Sequence, residues 1–191
     1  MKKIRLWKNR NELSDEYTIV DDEDYDKVME HLKKYKKDGY RRDSVRKWYL
    51  WKSPTGNIKY AMSGNRRSSV HRIVMGNPKG MDIDHINHNG LDNRKENLRI
   101  CTHSQNCANK KARRDSGTGV KGVYKVKREN CKKPFCAYIS DPKTKFPKKR
   151  HIRLGYYKTI EEAALAYNKK AIEMYGEFAV LNEIKGKDNG G

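Results

Sequence analysis

Residues 81–109 read MDIDHINHNGLDNRKENLRICTHSQNCAN and decide how the chain around them is organised. A short alternation of polar and apolar residues ends in the pair Asp84 and His85, and a polar loop follows it. The apolar run Leu98–Cys101 predicts a second strand. Capping-box spacing just after that run predicts a helix that starts near His103. This stretch is therefore predicted to form a strand, a loop, a second strand and a helix.

Three polar side chains of this stretch are candidates for a catalytic site. Asp84 and His85 lie together at the end of the first predicted strand, and Asn106 falls in the first turn of the predicted helix. A carboxylate, an imidazole and an amide oxygen that converge in a polar setting are typical of a metal-assisted hydrolytic site. The flanking residues indicate which substrate such a site would hydrolyse.

The charge of the chain points to a polyanionic partner. Its 191 residues allow one ordinary domain or two or three small ones. The formal net charge is +20 and the hydrophobic fraction is only 35%, so we expect small cores. Two blocks rich in Lys and Arg, residues 31–80 and 116–153, flank the candidate site. Nucleic acid is the favoured partner, and a basic soluble or ribosome-associated protein is the alternative.

The cysteine spacing and the lack of long apolar runs indicate an intracellular protein. No Cys-x-x-Cys pair occurs among the four cysteines, so they are predicted to be reduced thiols, with zinc binding as the less favoured alternative. They are Cys101, Cys107, Cys131 and Cys136. No apolar run is long enough to span a membrane, and no targeting segment is recognisable. We therefore expect a cytoplasmic protein without a membrane partner.

Residues 1–67 are predicted to form a small α+β unit. Tyr17–Val20 predicts a short strand, a helix is expected from residue 21 or 22, and residues 48–62 show a hairpin pattern. Carboxylates at the start of that helix satisfy its dipole, which we favour over a metal site. A further short helix is predicted before the candidate site, where His71 is expected to be packed rather than catalytic.

Residues 120–182 are predicted to form three strands followed by one helix. The helix begins with a capping box at Thr159 and Glu162. Apolar and polar residues alternate in the strands, so one face of the sheet is predicted to pack on the helix. The opposite face carries basic and aromatic side chains, which we expect to enter a DNA groove. The alternative is that its lysines only solvate the sheet.

Together these patterns predict an α+β fold of five segments. They are an N-terminal α+β unit (1–67), a hairpin and helix with the candidate hydrolytic site (68–110), a basic linker (111–119), a DNA-binding sheet and helix (120–182) and a flexible tail (183–191). The linker is identified by its Gly, Ser and Thr content next to a run of positive charges.

Two known families resemble most of this chain. The segment His71–Asn109 resembles the HNH endonucleases, in the branch of phage and mobile-element homing endonucleases, whose nuclease has a ββα-metal fold. Residues 117–182 resemble the apetala or ethylene-response-factor DNA-binding domain, on the segments GVKGVYK, FCAYI, LGYYKTIEEAALAYNKKA and GEFAVLN. The segment IVDDEDYDKV is similar to the start of such phage proteins.

The resemblance to HNH endonucleases implies a role for four residues. Asp84 corresponds to the metal-binding aspartate, and His85 corresponds to the general base. Asn97 corresponds to the central asparagine that braces the loop. Asn106 takes the last position of the motif, where many relatives place a second histidine as metal ligand. One carboxylate and one amide oxygen imply Mg²⁺ or Mn²⁺ rather than Zn²⁺.

The implied reaction is hydrolysis of a phosphodiester bond in double-stranded DNA. Neutral His85 would accept a proton from the attacking water, and the metal would neutralise charge at the phosphate and the leaving oxygen. The products would carry a 3′-hydroxyl and a 5′-phosphate. Because one site cuts one strand, a monomer would nick DNA. A phage-encoded protein would do so in the cytoplasm of a bacterial host cell.

Further DNA contacts are expected from two places. Arg99 alternates outward in its strand, where it would contact a phosphate or remain solvated. The open sheet face of the C-terminal domain and its neighbourhood would supply Lys121, Tyr124, Lys125, Lys127, Tyr138, His151 and Arg153. Plant members of that family use arginines and tryptophans there, so the substitutions preserve DNA binding better than a target preference. The main rival function is a DNA-binding regulator whose nuclease hairpin is an inactive scaffold, and an RNA- or ribosome-binding protein is the second.

Overall fold

Strands and helices are mixed along the part of the chain that the computed structural model describes, residues 1–34, 47–54, 58–64, 68–112, 116–128, 130–144 and 150–184. In chain order they are β1 (Lys2–Trp7), β2 (Leu13–Val20), α1 (Asp22–Lys34), β3 (Trp48–Lys52), β4 (Lys59–Ser63), α2 (Val70–Val74), β5 (Asp82–His85), β6 (Leu98–Cys101), α3 (His103–Ala108), β7 (Val123–Lys125), β8 (Phe135–Ser140), β9 (His151–Tyr157) and α4 (Ile160–Tyr175). The predicted α+β class is confirmed. The chain divides into two compact units, Met1–Thr102 and His103–Gly191.

The first unit contains a four-stranded sheet in the order β2-β1-β3-β4. β1 is antiparallel to β2 and parallel to β3, and β3 and β4 form the predicted hairpin. Strand β1 was not predicted from the sequence. Its Ile4 and Leu6 are buried, while Lys3 and Arg5 between them are exposed, which is the alternation of a half-buried strand.

One apolar core joins the predicted N-terminal segment to the predicted nuclease hairpin. It contains Ile4, Leu6, Val20, Val28, Leu32, Trp48, Ala61, Val70, Ile73, Val74, Ile83, Leu91 and Leu98. Trp48, from the N-terminal segment, is 2% exposed and Leu98, from the hairpin, is 5% exposed. Burial of both in one cluster means that each segment completes the other's core. The boundary predicted between residues 67 and 68 stays a prediction.

The loop between β5 and β6 is fastened to the edge of this sheet. The N–H of Ile19 in β2 donates to the carbonyl of Leu91 at 2.9 Å, and the N–H of Asn93 donates back to the carbonyl of Ile19 at 2.8 Å. On the other side of the loop, Gly90 lies so close to β4 that a Cβ there would meet the carbonyl oxygen of Lys59. Strands that are distant in sequence therefore hold the backbone of this loop in place.

The second unit contains a three-stranded antiparallel sheet, β7-β8-β9, with α4 packed on one face. The predicted start of α4 is confirmed: Thr159 Oγ1 accepts from the Glu162 N–H at 3.1 Å, and Glu162 Oε2 accepts from the Lys158 N–H at 3.0 Å. A stripe of α4 residues at helical spacing is buried, and it comprises Ala163, Ala164, Tyr167, Ala171 and Tyr175.

Helix α3 belongs to the second unit. Ala108, its last residue, is buried in the core that contains Ile139 and Tyr167. The carbonyl of Ala108 accepts from the N–H of Val180 at 3.3 Å and from the ammonium of Lys121. Of the predicted linker, residues 113–115 lie outside the described part of the chain, as does the predicted tail from residue 185 onwards.

Two findings bear on the expected cellular setting. All four cysteines are free thiols, as predicted. Across the described residues, no helix has both the length and the apolar character required to cross a bilayer.

Candidate active site

His85 is the last residue of β5 and is 6% exposed. Its ring packs against two others, with centroids 5.8 Å from Tyr60 and 5.1 Å from His71. Burial lowers the pKa of His85 from its ordinary 6.5, and a hydrogen bond to Asn93 and the charge of Asp84 offset this only in part. The imidazole is therefore neutral at physiological pH, which is the state in which it can accept a proton.

A chain of hydrogen bonds leads from His85 into the sheet. His85 Nε2 lies 3.1 Å from Asn93 Oδ1. Asn93 Nδ2 lies 2.6 Å from Thr18 Oγ1, and the Thr18 hydroxyl donates to the Leu91 carbonyl at 2.8 Å. Thr18 and Asn93 are both completely buried. Neither residue was singled out from the sequence, and no local signal links them because 75 positions separate them.

Asp84 makes an ion pair with Arg99 across the β5–β6 hairpin. The two residues are register partners, and Asp84 Oδ2 accepts from Arg99 Nε at 2.9 Å and from Nη2 at 2.8 Å. Only 14% of the Arg99 side chain is exposed. The alternative of a solvated Arg99 is therefore wrong, because its guanidinium holds the Asp84 carboxylate. The phosphate contact predicted for Arg99 stays a prediction.

Asn97 braces the loop through hydrogen bonds of its side chain and its backbone carbonyl. Its Nδ2 donates to the Asp92 carbonyl at 2.8 Å, and its Oδ1 accepts from the Asn87 N–H at 2.9 Å. Its own carbonyl accepts from the Ile86 N–H at 2.9 Å. These bonds tie the first residues of the loop to its last turn. They match the bracing expected of Asn97, and its contribution to catalysis stays a prediction.

His71 packs against His85 rather than acting as a separate site. Its Nε2 lies 3.0 Å from Ser69 Oγ, and its ring is also 5.4 Å from that of Tyr60. Burial, reinforced by His85 and Arg72, lowers the pKa of His71 to about 3. A second neutral ring beside His85 excludes water from one side without adding charge. The surroundings thus fit the packed role expected of His71.

Acid is expected to destabilise the protein through His71. Its pKa of about 3 in the folded state lies below the 6.5 of an exposed histidine, so below pH 6.5 the unfolded chain binds more protons and stability falls as the pH falls. The expected loss is about 2 kcal/mol between neutral pH and about pH 5. Urea unfolding at both pH values measures it. In His71→Phe, which keeps a ring, the pH dependence is expected to flatten, and an unchanged slope would contradict the assignment.

The metal site predicted from Asp84 and Asn106 has one member in each unit, since Asn106 lies in α3. Over the described residues, no cluster of three or more His, Cys, Asp or Glu side chains is placed to hold a metal ion.

The sheet of the second unit presents a row of rings on the face away from α4. Tyr138 lies between its neighbours in this row, with centroids 5.6 Å from Tyr124 and 5.1 Å from His151. The guanidinium of Arg153 lies 5.6 Å from the centre of the Tyr156 ring. The structure thus brings together four of the seven residues of the second unit that are predicted to contact DNA.

The three remaining residues, all lysines, are placed differently. Lys125 and Lys127 are exposed at the end of β7 and just beyond it. The ammonium of Lys121 instead donates to the Ala108 carbonyl at the end of α3, and burial lowers the pKa of Lys121 to about 8. Cations stabilise the carbonyl end of a helix. This intramolecular role accounts for Lys121, and its DNA contact stays a prediction.

Comparison with known proteins completes the description of this site. The HNH endonuclease family model matches residues 70–108. A protein of Acanthamoeba polyphaga mimivirus, named uncharacterized HNH endonuclease L560, is 33% identical over 144 residues, which span 72% of this chain and 67% of the viral protein. No solved structure matches the chain. On β5 a buried, neutral histidine lies beside a carboxylate, which agrees with these matches. The matches show that the chain belongs to the HNH endonuclease family and is a DNA endonuclease.

Proposed function

We propose that this endonuclease is metal-dependent, binds double-stranded DNA and nicks one strand as a monomer, in the manner of a phage or mobile-element homing endonuclease. The observation that carries the proposal is the state of His85. A histidine that is 6% exposed, neutral, and next to a buried carboxylate is poised to activate water beside a cation.

We further propose that Asp84 is a ligand of the ion, and the ligand role expected of Asn106 stays a prediction. Carboxylate and amide oxygens are hard ligands that suit Mg²⁺ or Mn²⁺. The Asp84 carboxylate is 5% exposed and already carries a cation, the Arg99 guanidinium, so this position favours positive charge. The donor set therefore fits a hard divalent ion. When bound, such an ion supplies neutralisation of the negative charge that develops on the phosphate.

In the proposed reaction His85 removes a proton from a water molecule as its oxygen attacks the phosphorus. The bond to the 3′ oxygen breaks, and the products carry a 3′-hydroxyl and a 5′-phosphate. Packing of Tyr60 and His71 around the ring keeps bulk water away from it. This desolvation lowers the pKa of His85 and so keeps its ring neutral.

The second unit is proposed to deliver the nuclease to DNA as an apetala-type domain. Its open sheet face displays rings and an arginine, and the exposed Lys125 and Lys127 lie beside it. In this proposal the ring-bearing face contacts the major groove, where side chains reach base edges, while the lysines neutralise phosphates. The formal charge of +20 supports a polyanionic substrate.

A supercoiled plasmid distinguishes this function from its rival, a regulator with an inactive scaffold. We expect Mg²⁺ or Mn²⁺ to convert the supercoiled form to the nicked circle, and a chelator to stop the conversion. Linear product is expected only after the nicked form accumulates. Binding without nicking in either ion would favour the regulator, and nicking that persists with chelator would contradict the metal site.

The open sheet face is expected to contribute to DNA affinity. A triple variant, Tyr124→Ala with His151→Ala and Arg153→Ala, should bind DNA about 10-fold more weakly or worse at physiological salt. Fluorescence anisotropy with a labelled duplex measures this, and the salt dependence of binding should become shallower. Lys169→Ala is the control, because Lys169 is an exposed cation on α4, which packs on the other face. Equal affinity of the triple variant and the control would contradict the sheet-face assignment.

A further inference from the structure

The two nitrogens of a neutral histidine are not equivalent, and the contacts of His85 determine which one carries the proton. The Leu91 carbonyl lies at the far end of the hydrogen-bond chain and can only accept a hydrogen bond. The Thr18 hydroxyl therefore donates its single proton to this carbonyl, over 2.8 Å. Thr18 Oγ1 can then only accept from its other neighbour.

That neighbour is the side-chain amide of Asn93. Because Thr18 Oγ1 accepts, the NH₂ group of Asn93 must face it, as the 2.6 Å contact shows. The amide oxygen of Asn93 is thereby turned towards His85, 3.1 Å from Nε2. An amide oxygen has no proton to give. His85 Nε2 must therefore carry the hydrogen, which leaves the lone pair of the neutral ring on Nδ1.

The surroundings keep this order of donors and acceptors from reversing. Thr18 and Asn93 are completely buried, so solvent does not replace either partner. The backbone of Asn93 is fixed by its N–H bond to the Ile19 carbonyl at 2.8 Å. Rotation of the Asn93 amide would place an NH₂ group against a ring N–H and an oxygen against a hydroxyl oxygen, leaving buried polar groups unsatisfied.

We propose that Asn93, oriented by Thr18, is a positioning residue that fixes His85 in the Nε2–H form, so that Nδ1 is the atom that takes the proton from the attacking water. The inference rests on the proposed function of His85 as the base. In this step Nδ1 gains the proton, the water oxygen bonds to phosphorus, and the leaving 3′ oxygen departs with the electron pair and takes a proton from solvent. Strand β2 thereby contributes Thr18 to the hydrogen-bond chain that orients His85.

Nitrogen-15 NMR of the full-length, metal-free chain tests the tautomer without any cleavage assay. At about pH 8, above the ordinary histidine pKa, the His85 ring should show a protonated Nε2 and an unprotonated Nδ1. Comparison with His85→Gln assigns the signals. A ring protonated on Nδ1 would overturn the proposal, whatever the activity. If instead the tautomer is as expected and His85→Ala still cuts DNA normally, the base assignment fails while the fixed tautomer stands.

Matched variants test the positioning role. Asn93→Leu removes the acceptor and should lower kcat about 10²-fold, whereas Asn93→Asp keeps an oxygen for Nε2–H and should recover part of the loss. Thr18→Val should lower kcat, and Thr18→Ser, which keeps the hydroxyl, should not. In each case KM for DNA should stay within about twofold. Equal kcat for Thr18→Val and Thr18→Ser in folded protein would overturn the role of Thr18.

Discussion

Replacing His85 by alanine is expected to lower the rate constant of plasmid nicking by about 10²–10⁴-fold, with little change in DNA affinity. Burial lowers the pKa of His85, so in the native protein a neutral base is present throughout the physiological pH range. Alanine leaves no group at this position to accept the proton from water. Single-turnover conversion of supercoiled to nicked plasmid gives the rate constant, and anisotropy with a labelled duplex gives the affinity.

The matched control for this variant is His88→Asn, in the same loop. His88 is exposed and has a backbone φ of 63°, a conformation that asparagine tolerates well. We expect His88→Asn to nick DNA at close to the native rate. Undiminished nicking by His85→Ala would eliminate the general-base assignment, since no loss of binding or folding could mask a role in proton transfer.

Replacing Asp84 by asparagine is expected to impair both activity and stability. The proposed ion loses its only carboxylate ligand, so nicking should fall by about 10²-fold or more. The Arg99 guanidinium, with 14% of its side chain exposed, loses its counter-ion. Breaking a buried pair from one side costs about 3–5 kcal/mol. Urea unfolding without metal measures the loss of stability, and the plasmid assay measures the loss of activity.

A second substitution separates these two effects. In Asp84→Asn combined with Arg99→Met, the unpaired guanidinium is gone, and much of the lost stability should return, while nicking should stay lost. Arg99→Met alone should be less stable without metal and should gain more in Tm from Mg²⁺ than the native protein does, because its carboxylate lacks a counter-ion. Recovery of nicking in the double variant would contradict the assignment of Asp84 as a metal ligand.

Local sequence signals predicted the parts of this fold that depend on neighbours in the chain. Helix α4 starts at the predicted capping box, and its buried residues recur at helical spacing. Strand β8 lies in the region that was predicted to form three strands. The order β5, β6, α3 also follows from motif spacing. In each case, the residues that determine the element lie within a few turns or one strand of each other.

The remaining features depend on pairings that no local pattern encodes. The Asp84–Arg99 ion pair requires the register of two strands joined by a long loop, and one residue of slip would turn Arg99 to the other face. The contact of Asn93 with Thr18 requires the loop to lie on the edge of β2. Lys121 was expected on the open sheet face because of the resemblance to the apetala-type domain, whereas tertiary packing gives it a helix end to stabilise.

Because the β5–β6 loop is attached to β2, the segment that matches the nuclease family is not expected to function when recombination transfers it alone. The family match begins at residue 70, yet Thr18 and Ile19 hold the loop that orients His85. A recombination event that moved only the matched segment into a new host would carry the cutting residues without the strand that aligns them. Chimaeras that exchange residues 1–108 as one block should keep cutting, whereas those joined near residue 70 should need a substitute for β2.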